Sequence, residues 1–328
     1  LLRGGTAEQA AVRGDGHVPV LSRSMRRRAL LTGGAASIGL AALAPAPVLG
    51  SAAAQGEFAT GHASALAASL RGPALLEAFV RTRGRTDGRI VHGWLRSQRS
   101  TVIDGEITPL CGVVAGAVQR FERIREDVFE ATILEVAHYV HPSTGDLLDT
   151  VEMPGTGRRV KVPAYRFGPV KARFAVMLDE WEEFDPPQGG SGATQFVPRS
   201  SVHLLRSIEP ATAVGDRVAI RTNEYGRVYP DRSGPMTIYY REWMAWQARA
   251  EDLARSSAAV AASYGYTALT SWRPWMQMGT LKGHTIDSGY GAKAMNWTEC
   301  PPEFLELTRR RHPDVLDDPE RALRSPPV

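Results

Sequence analysis

"VFEATILEVAHYV", residues 128–140, reads as a β-strand: β-branched and aromatic side chains recur along it, and Pro142-Ser143-Thr144-Gly145 follows as a turn signal. Successive side chains of a strand point to opposite faces. One face carries Phe129, Ala131, Ile133, Glu135, Ala137 and Tyr139, and the other Glu130, Thr132, Leu134, Val136 and His138. The two are about equally polar, so the sequence leaves open which one is inward. The first face holds a carboxylate amid apolar neighbours, which is costly to bury unless it is paired or protonated. Glu135 is therefore a candidate general acid or base with a raised pKa. A salt bridge to an arginine on the next strand, or an outward position, accounts for it equally well.

Working outward, the same period of two recurs at 90–95, 159–165, 171–178, 216–222 and 236–246, with further strands at 262–272 and 283–290. Turn signals separate them: Asp104-Gly105, Pro154-Gly155-Thr156-Gly157, Gly215-Asp216 and Glu224-Tyr225-Gly226. Many antiparallel strands with short turns predict a mainly β protein, an antiparallel β-barrel of lipocalin-like or calycin-like type. Short helices flank it. One opens at Pro73 and stops at Gly84, with Leu75, Leu76, Phe79 and Val80 on one face. Residues 248–256 predict a helical turn or two, and Pro301-Pro302 opens a last short helix to about Arg310. The stretch FDPPQGGSGATQ, 184–195, reads as a long loop within one domain over 71–328.

Chemistry is thinly marked. The chain has no G-x-S-x-G, H-E-x-x-H, P-loop or G-x-G-x-x-G motif. His138 and His141, three apart on a strand, point to opposite faces, which favours surface or turn roles over a shared metal. His92 joins Glu135 and Tyr139 as the candidate catalytic set, and His203 is a further histidine with nothing in sequence to place it. Trp272, Trp275, Met276 and Met278 are concentrated in SWRPWMQM, 271–278. With Trp94 they are candidate ligand-binding residues, although such side chains equally plug a barrel end. Cys111 and Cys300 are the two cysteines, with no C-x-x-C spacing, and no cofactor is specified.

Residues 25–54 carry a different signal. Arg26, Arg27 and Arg28 precede 26 residues without a charge, and Ala52 and Ala54 form an A-x-A site ahead of Gln55. Arg27-Arg28-Ala29-Leu30-Leu31 resembles a twin-arginine export signal. The expected layout is an upstream extension over 1–24, a cleaved leader over 25–54, and a flexible tether over 55–70. The export machinery is then a partner, the location is periplasmic or extracellular, and no stable membrane insertion remains after cleavage. Six of the 39 basic residues (Arg3, Arg13, Arg23, Arg26, Arg27 and Arg28) and two of the 35 acids (Glu8 and Asp15) lie before residue 55, leaving 33 of each behind it. Phosphate neutralisation needs clustered Lys and Arg, so nucleic acid is excluded as a partner.

LLEAFVRTRGRTDGRIVHGW (75–94), LEVAHYVHPSTGDLLDT (134–150) and SWRPWMQMG (271–279) together resemble the domain-of-unknown-function family 1838, over about residues 70–310. The resemblance implies an all-β, barrel-like body and an extracytoplasmic life, and brings no reaction with it. The chain departs from the family pattern at Met153-Pro154-Gly155 and at Ala164 and Phe167-Gly168-Pro169, where polar residues are expected. The leading functional expectation is a barrel binding a small apolar or aromatic molecule. The alternative is an acid/base enzyme of isomerase, cyclase or hydrolase type, acting on a polyketide-, terpenoid- or steroid-like substrate. A third reading, a metalloprotein, rests on the export route, which carries proteins loaded in the cytoplasm.

Overall fold

The computed structural model describes residues 52–184, 200–229 and 238–324, all within one compact unit over 49–328. The upstream extension, Arg27, Arg28 and the loop at 185–195 lie outside the described residues, as do the side chains of Ala52 and Ala54.

Thirteen strands are described: β1 (Val91–Ile103), β2 (Glu106–Arg125), β3 (Val128–Val140), β4 (Thr150–Met153), β5 (Arg158–Lys161), β6 (Tyr165–Phe174), β7 (Met177–Phe184), β8 (Ser200–Ile208), β9 (Thr212–Val214), β10 (Arg217–Tyr229), β11 (Ile238–Arg249), β12 (Ser263–Ser271) and β13 (His284–Ala294). One antiparallel sheet runs in the order β6-β3-β2-β1-β13-β12-β11-β10-β8-β7, while β9 pairs with β10 and β4 pairs with β5. Asp104 (φ 51°) and Gly105 (φ 84°) are both left-handed, which sets the tight β1–β2 turn. The two ends of the sheet, β6 and β7, are consecutive in the chain, so the sheet curls into a nearly closed barrel with one seam. Side chains bridge that seam, where unpaired backbone groups are otherwise a liability: Arg206 of β8 donates to the Arg173 carbonyl of β6, and Arg173 pairs with Glu180 of β7 at 3.3 Å.

Several local expectations change. Glu224-Tyr225-Gly226 is not a turn; β10 runs straight through it. Gly226 lies opposite Tyr240, and a Cβ there would overlap the tyrosine ring, so this glycine makes room for an aromatic side chain. The 20-residue β2 is absent from the expected strands, because Pro109, Gly112 and Gly116 dilute its alternation. Gly116 again yields space, here to the Phe304 ring. In place of a loose tether over 55–70 there is a helix, α1 (Ala52–Ser69), with Ala63 and Ala67 buried.

Two plugs fill the barrel ends. At one end, α2 (Gly72–Arg83) buries Leu75, Leu76, Phe79 and Val80 against Phe121, Phe129 and Phe174. Each such side chain contributes roughly 1.5–3 kcal/mol by leaving water. At the other, Met153 and Val160 of the β4–β5 hairpin meet Tyr139 and the short 3-10 turn Pro274–Met276. The helices α4 (Pro302–Arg311), α5 (Pro313–Asp317) and α6 (Pro319–Arg324) cover the outside of β1–β3, burying Phe304, Leu307, Val315 and Leu323 on Leu134, Val136 and Val140. Strand β3 is therefore buried on both faces, with the Phe129–Tyr139 side inward. A short α3 (Ala250–Ala254) follows β11.

Candidate functional site

The register places charges in one row inside the barrel. Arg206, Glu224, Glu242, Ala268, Asp287 and Arg99 are successive cross-strand partners on β8, β10, β11, β12, β13 and β1. At one end of the row, the Arg99 guanidinium meets the Asp287 carboxylate (Nε–Oδ1 2.9 Å, Nη2–Oδ2 3.0 Å) and donates to the Tyr139 hydroxyl at 3.2 Å. At the other end, Arg206 Nε donates to Glu224 Oε2 at 2.5 Å, and the Tyr240 hydroxyl donates to Glu224 Oε1 at 3.0 Å. Burial pushes the Glu224 carboxyl up, but Arg206 and these hydrogen bonds outweigh it and hold it below its ordinary range.

Glu242 sits beside Glu224 without such a clamp. Its nearest hydrogen-bond partner is the Tyr266 hydroxyl at 3.4 Å, and it makes no ion pair among the described residues. Burial, then Glu224 and Glu135, push its carboxyl up to about 8. Glu135 faces the same space from β3, opposite Ala117 of β2 and Phe167 of β6. Burial raises its pKa, while Arg83 and a hydrogen bond from Tyr165 oppose the rise. Burial holds the phenols of Tyr165, Tyr240, Tyr264 and Tyr266 above their ordinary range, so all four remain hydrogen-bond donors.

Between the two plugs Glu135, Glu242, Tyr165, Tyr264 and Tyr266 line a cavity, together with Leu95, Met244 and Trp246, that offers water centres about 120 Å³. At ~10–15 Å³ per water, that is roughly ten positions, the heavy-atom count of a one- or two-ring molecule. A second space of about 100 Å³ shares Arg83, Glu135, Glu242 and Met244 in its lining. Arg83 enters from the end of α2, its Nε donating to Gln119 Oε1 at 3.2 Å. That end is fastened by Lys293 of β13, whose Nζ donates to the carbonyls of Arg81 (2.6 Å) and Gly84 (3.2 Å). Cations suit helix C-termini, yet burial, with Arg85 and Arg81, lowers the Lys293 pKa to about 7.

The three sequence candidates for catalysis are not brought together. Glu135 lines the cavity. Tyr139, on the same face of β3, is packed on Trp275 (5.7 Å) and bonded to Arg99 in the hairpin-side plug. His92 lies on the outer face of β1, its ring tilted against that of Trp297 at 4.2 Å, with burial lowering its pKa to about 4. Trp94 is also outside, edge-on to Tyr290 at 5.9 Å and packed against the cluster under α4–α6. Trp272, Trp275, Met276 and Met278 belong to the hairpin-side plug, and Trp272 Nε1 donates to the Leu281 carbonyl at 2.8 Å. His138 has no surface role. It is buried, with Nε2 2.9 Å from Thr308 Oγ1 under α4, whereas His141 is exposed. His203 faces Asp179 across 2.8 Å. Cys111 and Cys300 are free and buried in separate clusters, and burial pushes both thiols up to about 12.

Arg83, Tyr165, Arg206, Glu224, Glu242, Tyr264 and Tyr266 escape the sequence reading. One signal for Glu242 was present: Tyr240, Glu242, Met244 and Trp246 alternate on one face, the same carboxylate-in-an-apolar-run pattern as Glu135. Among the described residues, no cluster of three or more His, Cys, Asp or Glu side chains suits a metal ion, and no helix is long and apolar enough to cross a membrane.

The sequence profile of a family described as "Protein of unknown function (DUF1838)" matches residues 90–327, and the chain belongs to that family. The matched region contains every strand of the barrel together with Glu135, Glu224 and Glu242, while Arg83 lies before it. No curated protein matches the chain.

Proposed function

We propose that the barrel binds a small organic molecule with a ring-sized apolar body and an oxygen function. The body lies against Leu95, Met244, Trp246 and Tyr264, and the oxygen meets the carboxyls of Glu135 and Glu242. One observation carries this reading. Both carboxyls face a single cavity without an ion-pair partner among the described residues, while their neighbours Arg206–Glu224 and Arg99–Asp287 are paired. Burying unpaired carboxyls is expensive, and such groups in a cleft mark binding or catalytic sites. The charged lining adds an oxygen function to the largely apolar or aromatic ligand expected from sequence.

Native mass spectrometry of the protein purified from its own host tests for a retained ligand. A thermal-shift panel of aromatic alcohols, ketones and hydrocarbons of matched size tests the chemistry. Oxygenated compounds are expected to stabilise the fold, by about 2.7 kcal/mol at a hundredfold excess over Kd. Stabilisation by hydrocarbons alone, or by none of the panel together with no retained mass, overturns the reading.

Export by the twin-arginine route belongs to the same proposal and is supported by the pattern at residues 25–54. Cleavage after Ala54 would remove the first three residues of α1 and spare Ala63 and Ala67, where that helix packs. Replacing Arg27 and Arg28 by lysine is expected to trap the protein in the cytoplasm. Unchanged export of that variant overturns the route.

A further inference from the structure

We propose that Glu135 and Glu242 act as a proton-transfer couple on an enolisable carbonyl compound bound between β3 and β11. The inference rests on the ligand-binding reading and gives its site a reaction.

Several inward polar groups are already occupied. Arg206 and Tyr240 serve Glu224, Arg99 serves Asp287, and the Tyr264 hydroxyl donates to the Trp94 carbonyl at 3.1 Å. The two carboxyls, one on β3 and one on β11, face each other across a lining whose other polar groups are Arg83, Gln119, Tyr165, Tyr264 and Tyr266 and whose apolar part is Leu95, Met244, Trp246 and small residues such as Gly93 and Ala117. A single carbonyl with an acidic C–H beside it uses that pair completely.

The two carboxyls are not equivalent. Glu242 stands directly opposite ionised Glu224, and like charges so placed repel. Glu242 therefore holds its proton and donates. Burial raises the Glu135 pKa too, but Glu135 faces Arg83 and the Tyr165 hydroxyl, which favour its anion, and it is not the cross-strand partner of Glu224, so of the two it is the acceptor. In the forward step the Glu135 carboxylate takes the α-proton and the C–H electron pair becomes the C=C bond of an enol. The carbonyl π pair moves to oxygen, which receives the Glu242 proton. Glu135 is then neutral and Glu242 ionised. Return of a proton to carbon and of the enol proton to Glu242 restores both, with no other reactant. Return at the same carbon exchanges hydrogen with solvent, and return at a conjugated carbon isomerises the compound. Placing acid and base on opposite walls suits this chemistry, because the two atoms that exchange protons lie on different sides of one small molecule.

The probes are 2-tetralone, an aromatic ketone of cavity size, and 2-naphthol, which mimics its enol. Binding is read by 2-naphthol fluorescence, and proton transfer by NMR of α-hydrogen exchange of 2-tetralone in D₂O. The wild-type protein is expected to bind 2-naphthol and to accelerate exchange. Glu135→Gln and Glu242→Gln should each cut exchange at least ~100-fold, the usual weight of one acid or base group, with 2-naphthol affinity changed only a few-fold. Glu135→Asp sets the carboxyl back by one methylene and should keep a residual rate, which guards against a folding defect in the glutamine variant. Binding of 2-naphthol without exchange overturns the proton-transfer couple and leaves the binding reading standing. Exchange that survives both glutamine substitutions overturns the assignment of these residues. Neither binding nor exchange overturns the carbonyl class, and the thermal-shift panel then decides the binding reading by itself.

Discussion

Glu224 and Glu242 stand directly opposite one another on adjacent antiparallel strands, both pointing into the barrel. Such a pair is stable only if one member gives up its charge or both are compensated. Arg206 and Tyr240 compensate Glu224 alone, so Glu242 is the one that stays protonated. The folded protein thus carries a proton on Glu242 up to about pH 8, whereas the unfolded chain releases it near its ordinary value of 4.5. A raised carboxyl pKa gives stability that is fully present below the unfolded value and lost as pH rises through the folded one. Glu242→Gln removes this titration. Measured against the wild type, its stability should gain steadily as pH rises from about 5 to 8, making the variant the more stable protein at pH 9, by on the order of a few kcal/mol. Urea unfolding at a series of pH values measures this.

Arg206 has two jobs that one substitution can separate. Its Nε holds Glu224, and its Nη1 caps the Arg173 carbonyl at the barrel seam. Arg206→Met leaves a buried carboxylate without its cation and should cost about 3–5 kcal/mol. The double variant R206M/E224Q, with no charge left at the pair, should recover most of that loss. What it fails to recover includes the seam hydrogen bond and the guanidinium's contact with the Phe174 ring at 4.3 Å. Chemical denaturation of the two variants and of Glu224→Gln closes the cycle.

The barrel was legible in the alternation of strands such as 128–140 and in the turns at Asp104-Gly105 and Gly215-Asp216. Where reading failed, tertiary packing had reassigned a local signal. Gly226 looks like a turn residue, but it is small because Tyr240 lies across it. Both faces of β3 are apolar because α4–α6 roof the outer one, and period alone cannot distinguish a roofed face from a core face. Glu135 was visible as an anomaly on one strand. Its partner Glu242 and the cation Arg83 come from elements more than 100 and 50 residues away in the chain, and only the register of the closed sheet brings them together.

Three buried histidines predict sensitivity to mild acid. His92, His138 and His312 all have pKa values lowered to about 4, chiefly by burial. His138 faces Thr308, His312 and Arg311, while His312 faces Arg166, Asp314 and Arg311, so the surroundings are mainly cationic. Neutral imidazoles in the fold must charge on unfolding, so stability falls as pH drops from about 6.5 to 4. Glu242 acts in the opposite sense over part of that range, so the Glu242→Gln variant shows the histidine contribution more directly. In that background, His138→Leu should reduce the slope by about a third, one of three protons being removed.

Lys293 decides how firmly the α2 plug holds Arg83 over the cavity. Its amine serves two carbonyls at the end of α2, those of Arg81 and Gly84. The Arg81 carbonyl also accepts from the Val260 amide at 3.0 Å, so it keeps a partner when the lysine is lost. The Gly84 carbonyl has no other partner described and would be stranded. Lys293→Met should therefore cost about 1–3 kcal/mol, the price of one unsatisfied buried acceptor, partly offset by ending the burial of an amine whose pKa is already lowered. The local effect should exceed the global one. Hydrogen exchange over residues 80–84 should speed by about tenfold, the equivalent of ~1.4 kcal/mol of local opening, while the core strands keep their protection. Ligand affinity should fall with it, because Arg83 would no longer be fixed against Gln119. An unchanged exchange rate at 80–84 would show that the α2 end is held by its packing on Phe121 instead.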